Sequence, residues 1–212
     1  MTAPSIIGNI RAARSALEAE TRSTLLSAAA ALLSEEGPGA LTVRRVAETA
    51  GASTKMIYTH FGGKDGLLEA LYLHSFAELV LAFQAHAGEA DSARRLALML
   101  GAYRSFALDE PALYNVMFGD LGRAWEAPAA CRKQAWRSFE TLRDAVRDDL
   151  PADRRLDAQH VTYALWATAH GVVSLEHRKL IGPTSGAAAI FDSALNAICA
   201  ANGMRCKLQT HP

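Results

Sequence analysis

The stretch that decides the fold is LTVRRVAETAGASTKMIYTHFGGKDGLL, residues 41–68. Thr42 stands where it would cap a short helix, and Gly51 ends that helix. Ser53 would cap a second short helix after a turn of three residues, and Gly62-Gly63 ends it. Two short helices joined by a tight glycine turn predict a helix-turn-helix.

The chain outside this stretch also follows the apolar period of helices. A first helix is predicted from Thr21, and a longer one from Asp65 to about His86. No stretch alternates at period two for long enough to require a strand, so the predicted fold class is all-α. Further helices, each bounded by glycine or proline, are predicted at about 92–109, 111–118, 129–149, 155–181 and 186–201.

The composition is that of a globular helical protein. Of 212 residues, 50% are hydrophobic and 7% aromatic, which excludes collagen, a disordered tail and a small disulfide-stabilised fold. The 22 basic side chains balance the 22 acidic ones over the whole chain. Residues 1–64 carry seven Lys and Arg against five Asp and Glu, so an anionic partner is expected at the N-terminal end.

The cysteine and histidine positions argue against a metal site. The cysteines are odd in number and, like the seven histidines, lack metal-ligand spacing, so no metal and no cofactor are predicted. The longest apolar runs fall short of a bilayer span, and the N-terminus lacks a cleavable signal. A cytoplasmic protein without a membrane partner is therefore expected. Its reduced thiols are Cys131, Cys199 and Cys206.

The helix-turn-helix carries the side chains that a DNA duplex requires. Phosphates bind cations and hydroxyl donors, and base edges bind short polar side chains on an exposed helix. Residues 42–64 contain four basic side chains against Glu48 alone. A helical hairpin with a solvated charged face is the alternative. The candidate DNA-binding residues are Thr42, Arg44, Ser53, Thr54, Lys55, Met56, Tyr58, Thr59, His60 and Lys64, and the small core beneath them is assigned to Val46, Ala47, Ile57 and Phe61.

The order of these residues resembles the N-terminal domain of the TetR family of bacterial transcriptional regulators. The resemblance covers about residues 21–70, and its most specific part is the Tyr-x-His-Phe-x-x-Lys run that begins at Tyr58. It implies that Tyr58, His60 and Lys64 hold phosphates and that Arg44 touches the backbone or a base. It also implies that base edges meet Thr54, Lys55, Met56 and Thr59. Lys55 stands where many members have glycine, so their operator preference cannot be transferred.

The second half of the chain resembles one C-terminal subfamily of these regulators. The resemblance rests on two stretches of sequence. One is a Trp-x-x-x-His-Gly run ending at His170-Gly171, and the other is Tyr114-Asn115-Val116-Met117-Phe118-Gly119 after Pro111. The resemblance implies a helical domain that dimerises and encloses a pocket for a small molecule. The expected domains are a flexible N-terminal arm at 1–20, a helix-turn-helix DNA-binding domain at 21–66 and an effector-binding and dimerisation domain at 67–212.

Two groups of residues in that domain are candidates for its functions. Small side chains at spacings of three and four permit close helix approach, either to a second subunit or within one subunit. The dimer candidates are Ala164, Ala167, Gly171, Ser174, Ile190, Ala194 and Ile198. The pocket candidates combine apolar bulk with polar tips and are Tyr103, Phe106, Tyr114, Met117, Phe118, Trp136, Trp166 and His170. The ring nitrogens of His170 need partners, either a structural hydrogen bond or a ligand.

These expectations combine into a homodimeric repressor that binds a pseudo-palindromic operator and is released by a small-molecule effector. Activation in place of repression is possible on the same residues. An effector-independent DNA-binding protein with an architectural role is the main alternative. A helical enzyme ranks far behind, since the sequence has no phosphate loop and no nucleophile elbow. A redox sensor built on Cys199 and Cys206 is a further alternative.

Overall fold

The computed structural model describes residues 6–119, 125–181 and 186–209. Over these ranges the chain forms nine α-helices and two short 3-10 turns, with no strand, so the all-α prediction is confirmed. The 3-10 turns are Pro38–Ala40 and Ala152–Asp157. The helices are α1 (Ile6–Glu36), α2 (Val43–Thr49), α3 (Thr54–Phe61), α4 (Lys64–Gln84), α5 (Ser92–Asp109), α6 (Pro111–Phe118), α7 (Ala129–Asp149), α8 (Ala158–His177) and α9 (Ala187–Ala201).

Helix ends follow from capping and proline. The hydroxyl of Thr42 accepts the backbone N–H of Arg45 at 3.3 Å and caps α2. The carboxylate of Asp91 accepts the N–H of Ala93 at 3.3 Å and caps α5. Pro111 occupies the first position of α6, where no N–H is needed. Helices α5, α6 and α7 accordingly have the bounds that the sequence predicts.

Helices α1 to α4 share a small N-terminal core. Leu25, Ala29 and Leu32 of α1 are almost fully buried against the helix-turn-helix. The four side chains assigned to this core from the sequence are buried as predicted, with Val46 and Ile57 at 0% exposure. The core holds α2 and α3 rigidly on α1, so the outer face of α3 is presented from a fixed platform.

Helix α4 joins this platform to the helical body. It packs on α1 and α3 at its start and on α5, α6 and α7 further along. By length and apolar composition α4 could cross a membrane, which corrects the expectation that no segment reaches that length. The helix buries Leu67, Leu71, Leu79 and Phe83 within the protein, as a core helix does.

Two stretches differ from their predicted structure. From Ile6 onwards the expected flexible arm belongs to α1, while residues 1–5 lie outside the described residues. The helix expected at 155–181 is shorter, because a 3-10 turn precedes Ala158 and the helix ends at His177. Lys179 then adopts a left-handed conformation with φ of 56°, which no α-helix can accommodate.

The segment after α9 folds back onto the body. Asn196 donates to the carbonyl of Leu208 at 3.0 Å and accepts the N–H of Leu208 at 2.8 Å. The N–H of Cys206 donates to the buried carboxylate of Asp149 at 2.9 Å. Arg205 donates to Asp91 and Ser92 at the start of α5. Residues 202–209 therefore form a C-terminal strap that ties α9 to α5 and α7.

Candidate DNA interface, ligand cavity and dimer face

The outer face of α3 is polar and open to solvent. Ser53, Thr54, Lys55 and Thr59 are exposed, and Tyr58 is 59% exposed despite its size. Met56 and His60 are half-buried at the edges of this face. The opposite face of α3 carries Ile57 and Phe61 into the core. One side of α3 is thus anchored in the core, and the other exposes hydroxyl groups, a cationic side chain and a phenol to solvent.

The turn between α2 and α3 is closed by backbone hydrogen bonds. The N–H of Ala52 donates to the carbonyl of Ala47 at 2.8 Å, and Gly51 adopts φ of 63°. A side chain at Gly51 would be strained in this conformation. The turn therefore sets the angle at which α3 leaves α2.

The junction of α3 and α4 is tightly packed. Gly62 ends α3 in the left-handed conformation, and the ring of Tyr58 lies against Gly63. A Cβ added to Gly66 would lie 1.8 Å from the carbonyl oxygen of Phe61. Only glycine fits there, so the start of α4, with the exposed Lys64, is locked against the end of α3.

Arg22 of α1 braces the same junction and was not identified from the sequence. Its guanidinium donates to the carbonyl of His60 at 2.8 Å and lies 4.5 Å from the ring centroid of Phe61. No local pattern signals this contact, because the partners are 38 residues apart. The charge of Arg22 opposes the partial negative charge at the carbonyl end of α3, and its hydrogen bond fixes the backbone at His60.

Positive charge is concentrated on α3 and the start of α4. Arg44 donates to Glu48 at 2.8 Å, and this hydrogen bond raises the pKa of Arg44 and lowers that of Glu48. Arg45 is paired with Glu36 and lies 3.7 Å from Glu48. Among the residues that the structure describes, Lys55 and Lys64 have no ion-pair partner. Their charge is available to phosphates without breaking an existing pair.

A cavity of about 270 Å³ lies among α4 to α8 in the body. Five of the eight predicted pocket residues line it: Tyr103, Met117, Phe118, Trp136 and Trp166. Sequence reasoning missed the four residues that α4 contributes and most of those on α7. The α4 positions follow a helical apolar period, which does not separate a cavity wall from ordinary core. The missed residues are Tyr72, Phe76, Leu79, Phe83, Arg132, Ala135, Ser138, Phe139 and Leu142.

The other three predicted pocket residues lie elsewhere. Phe106 is buried beside a separate open groove of about 1600 Å³ between α1, α4 and α5. Tyr114 and His170 lie behind the cavity wall. Neither residue lines the cavity, but their rings contact the lining residues Tyr103 and Phe118, so their role as ligand contacts stays a prediction.

The nitrogens of His170 are satisfied by protein groups. Nδ1 lies 2.7 Å from the hydroxyl of Tyr114 and 3.2 Å from that of Tyr103, and Nε2 lies 3.4 Å from the hydroxyl of Ser174. Burial lowers the pKa of His170 and raises the pKa values of both phenols. The ring is therefore neutral near pH 7 and joins α5, α6 and α8 directly behind the cavity.

An apolar face of α8 and α9 is uncovered in the single chain. Ala167 and Gly171 are exposed, and Leu175 and Ile190 are 43% and 39% exposed. The remaining dimer candidates, Ala164, Ser174, Ala194 and Ile198, are partly exposed. A Cβ added to Gly171 would meet nothing within 4 Å. This face has both the small side chains and the open space that close packing of a second helix pair requires.

No group of three or more His, Cys, Asp or Glu residues in the described ranges could hold a metal ion. Cys199 and Cys206, the pair named in the redox-sensor alternative, are buried beside each other. A hydrogen bond with Cys199 and burial raise the pKa of Cys206. Burial also raises the pKa of Cys131, beside Glu69. Burial and a raised pKa make Cys131 and Cys206 unreactive, whereas the hydrogen bond with Cys206 lowers the pKa of Cys199, which is shielded from reagents by its burial alone.

Comparison with known proteins matches each half of the chain to one family. Residues 25–71 match the bacterial regulatory proteins of the tetR family, and residues 96–198 match the tetracyclin repressor-like C-terminal domain. HTH-type transcriptional regulator BetI 2 from Chromohalobacter salexigens is 41% identical over 80 residues, which span 37% of this chain and 39% of that protein. The match to this relative is thus confined to less than half of its length.

Solved structures share the fold over nearly the whole chain. The regulatory protein SCO4313 superimposes with a TM-score of 0.73 at 24% identity, over 88% of this chain and 98% of that one. SmeT in complex with triclosan superimposes with a TM-score of 0.61 at 20% identity, over 91% and 99%. With family matches on both the helix-turn-helix and the helical body, the chain belongs to the TetR family of transcriptional regulators, which bind DNA and are not enzymes.

Proposed function

We propose that this regulator is a homodimeric repressor that leaves a pseudo-palindromic operator when a small molecule fills the cavity. Residues 21–66 bind the operator, and residues 67–212 dimerise and bind the effector. The protein acts in the cytoplasm, where its operator lies. The outer face of α3 reads base edges through Thr54, Lys55, Met56 and Thr59. Tyr58, His60 and Lys64 hold phosphates on either side of the groove.

The course of α4 is the observation that carries this proposal. Its first residue, Lys64, is part of the proposed DNA interface, and Tyr72, Phe76, Leu79 and Phe83 further along line the cavity. Phe76 lies about 18 Å along the helix axis from Lys64. A ligand that fits better when α4 is tilted moves Lys64 and α3 with it, because Gly66 locks the two helices together. Coupling of this kind is typically worth about 1 to 3 kcal/mol.

Helix α6 offers a second connection. It contributes Met117 and Phe118 to the cavity and packs on both α1 and α4. Tyr114 of α6 also shares His170 with Tyr103. A ligand that displaces Phe118 therefore pushes on two of the helices that support the helix-turn-helix. The cavity and these contacts favour an effector-responsive regulator over an architectural protein.

Dimerisation through α8 and α9 is tested by Gly171→Leu. The added side chain points into open space within one chain, so the fold survives, but it fills the room that a second subunit needs. We expect sedimentation equilibrium to shift from dimer to monomer at low micromolar concentration. Gly101→Leu on α5 is the matched control, since its added Cβ also meets nothing within 4 Å and lies away from that face. A dimeric Gly171→Leu variant would place the interface elsewhere.

The operator is tested by selecting bound sequences from a random duplex pool at two salt concentrations. We expect a pseudo-palindrome whose half-sites lie about 34 Å apart, matching two recognition helices related by a two-fold axis. Salt-sensitive binding without a recovered sequence would support the architectural alternative. Absence of binding would refute the proposal. Transcription from a promoter carrying the selected site then separates repression from activation.

A further inference from the structure

We infer that the cavity binds a small aromatic carboxylic acid, with its ring among the aromatic side chains and its carboxylate on Arg132 and Tyr72. The inference rests on the proposed function only in treating the cavity as the effector site. The lining alone carries the choice of ligand, through its size, its rings and its charge.

The size of the cavity sets the size of the ligand. At the packing density of protein interiors, about 270 Å³ holds a molecule of roughly ten to fifteen non-hydrogen atoms. That is one ring with a short substituent, or two fused rings. The volume lies just below the usual range for drug-sized ligands.

The shape and surface of the cavity favour a flat ring. Trp136 and Phe139 stack with centroids 4.4 Å apart on one wall, and Trp166 meets Phe139 and Phe118 at 6.2 and 5.9 Å. Phe76 meets Phe118 edge to face at 5.7 Å on the other side. A flat ring inserted here finds both faces and edges at the separations that aromatic pairs prefer.

The charge of the lining favours an anion. Among the lining residues that the structure describes, Arg132 is the charged one, and no carboxylate lines the cavity. Its hydrogen bonds to Glu126 and to the carbonyl of Ala127 both use Nη1, so within the described ranges Nε and Nη2 have no partner and can bind a ligand. Glu126 is 85% exposed, so its ion pair with Arg132 contributes little free energy and can be replaced by an ion pair with the ligand.

Tyr72 completes the anion site. It lines the same cavity as Arg132, and burial raises the pKa of its phenol. The hydroxyl therefore stays protonated and can donate to a carboxylate oxygen. A carboxylate between Arg132 and Tyr72 receives hydrogen bonds from two helices, α7 and α4. Binding the acid thus draws α4, which carries Lys64, towards α7.

A cavity lined by aromatic rings, as this one is, could also bind an organic cation against the faces of those rings. The positive charge of Arg132 and the absence of a lining carboxylate oppose that choice. The test therefore compares three probes with one carbon skeleton: cinnamate, the uncharged cinnamamide and the cation cinnamyltrimethylammonium. Binding to the whole 212-residue chain is measured by isothermal titration and by quenching of tryptophan fluorescence.

We expect cinnamate to bind about tenfold more tightly than cinnamamide, and the cation least tightly. Arg132→Gln should remove the difference between acid and amide, while Arg137→Gln, an exposed arginine of the same helix outside the lining, should leave it intact. Ala135→Leu narrows the cavity and should weaken all three probes. Equal affinity of acid and amide, an intact preference in Arg132→Gln, preference for the cation, or no binding of any probe would each overturn the inference.

The effect on DNA is measured separately with the selected operator. Release of the operator by cinnamate, lost in Arg132→Gln, would support both the ligand class and the proposed function. Cinnamate binding that depends on Arg132 but leaves the operator complex intact would refute effector control and retain the ligand class. Release by a cationic or neutral aromatic molecule alone would retain effector control and refute the ligand class.

Discussion

Replacing Gly66 with alanine should destabilise the protein, although alanine favours helices. The new Cβ would lie 1.8 Å from the carbonyl oxygen of Phe61 and 2.9 Å from its carbonyl carbon. Both atoms are backbone, so no side-chain rotation relieves the overlap, and α3 must move away from α4. Such overpacking costs about 1 to 3 kcal/mol or more. An overlap of this size with backbone atoms places the cost at the upper end of that range, and the gain in helix propensity offsets about 1 kcal/mol, so the net loss is about 2 kcal/mol.

The matched control is Gly101→Ala in the interior of α5. Its Cβ would meet nothing within 4 Å, so only the propensity gain of about 1 kcal/mol remains. Urea unfolding followed by far-UV circular dichroism, at one protein concentration, should show midpoints that move in opposite directions. Operator affinity should fall only for Gly66→Ala, because the displaced helix carries Lys64. Equal or parallel shifts in stability would refute the locked junction.

Three further predictions address the interface, the buried histidine and the thiols. Lys64→Ala should weaken binding similarly on all DNA sequences and lower by about one the slope of log binding constant against log salt concentration. Thr54→Ala should instead alter base preference. Equal effects of the two variants would contradict their separate roles. Burial lowers the pKa of His170, so the unfolded chain binds more protons and stability should fall as pH drops below about 6.5. His170→Gln should flatten that dependence, and an unchanged slope would refute the assignment. Thiol reagents should label the native protein slowly and the urea-unfolded protein quickly at Cys131, Cys199 and Cys206, while fast native labelling would favour the redox alternative.

Helix ends could be predicted from sequence where glycine, proline or a capping side chain marks them. Helices α5 to α7 begin and end as expected because Asp91, Pro111 and Pro128 fix their starts. The end of α8 was wrong, because the left-handed turn at Lys179 uses a residue that carries no turn signal. Helix α1 begins earlier than the predicted start at Thr21, because the apolar period that marks a helix in sequence becomes regular only from there, while the helix itself starts at Ile6.

The two candidate sites differ in how far sequence could identify them. The candidate DNA face lies within residues 42–64, on α3 and the adjacent ends of α2 and α4, so the local order of residues determines which side chains are exposed. The cavity is assembled from five helices, and its lining depends on packing between residues far apart in sequence. An aromatic residue at a helical period is equally compatible with core, as Tyr114 proved to be, and with a cavity wall, as Phe76 proved to be.

The C-terminal strap has a consequence for the order of folding. Its hydrogen bond from Arg205 to Ser92 joins residues 113 apart, and that from Cys206 to Asp149 joins residues 57 apart. Contacts of such sequence separation form late, because the chain between them must first be ordered. On the ribosome, the N-terminal platform can assemble while the strap is still unmade. Since the strap anchors α9, we expect the proposed dimer face on α8 and α9 to form only after residues 202–209 have been synthesised and have docked on α5 and α7.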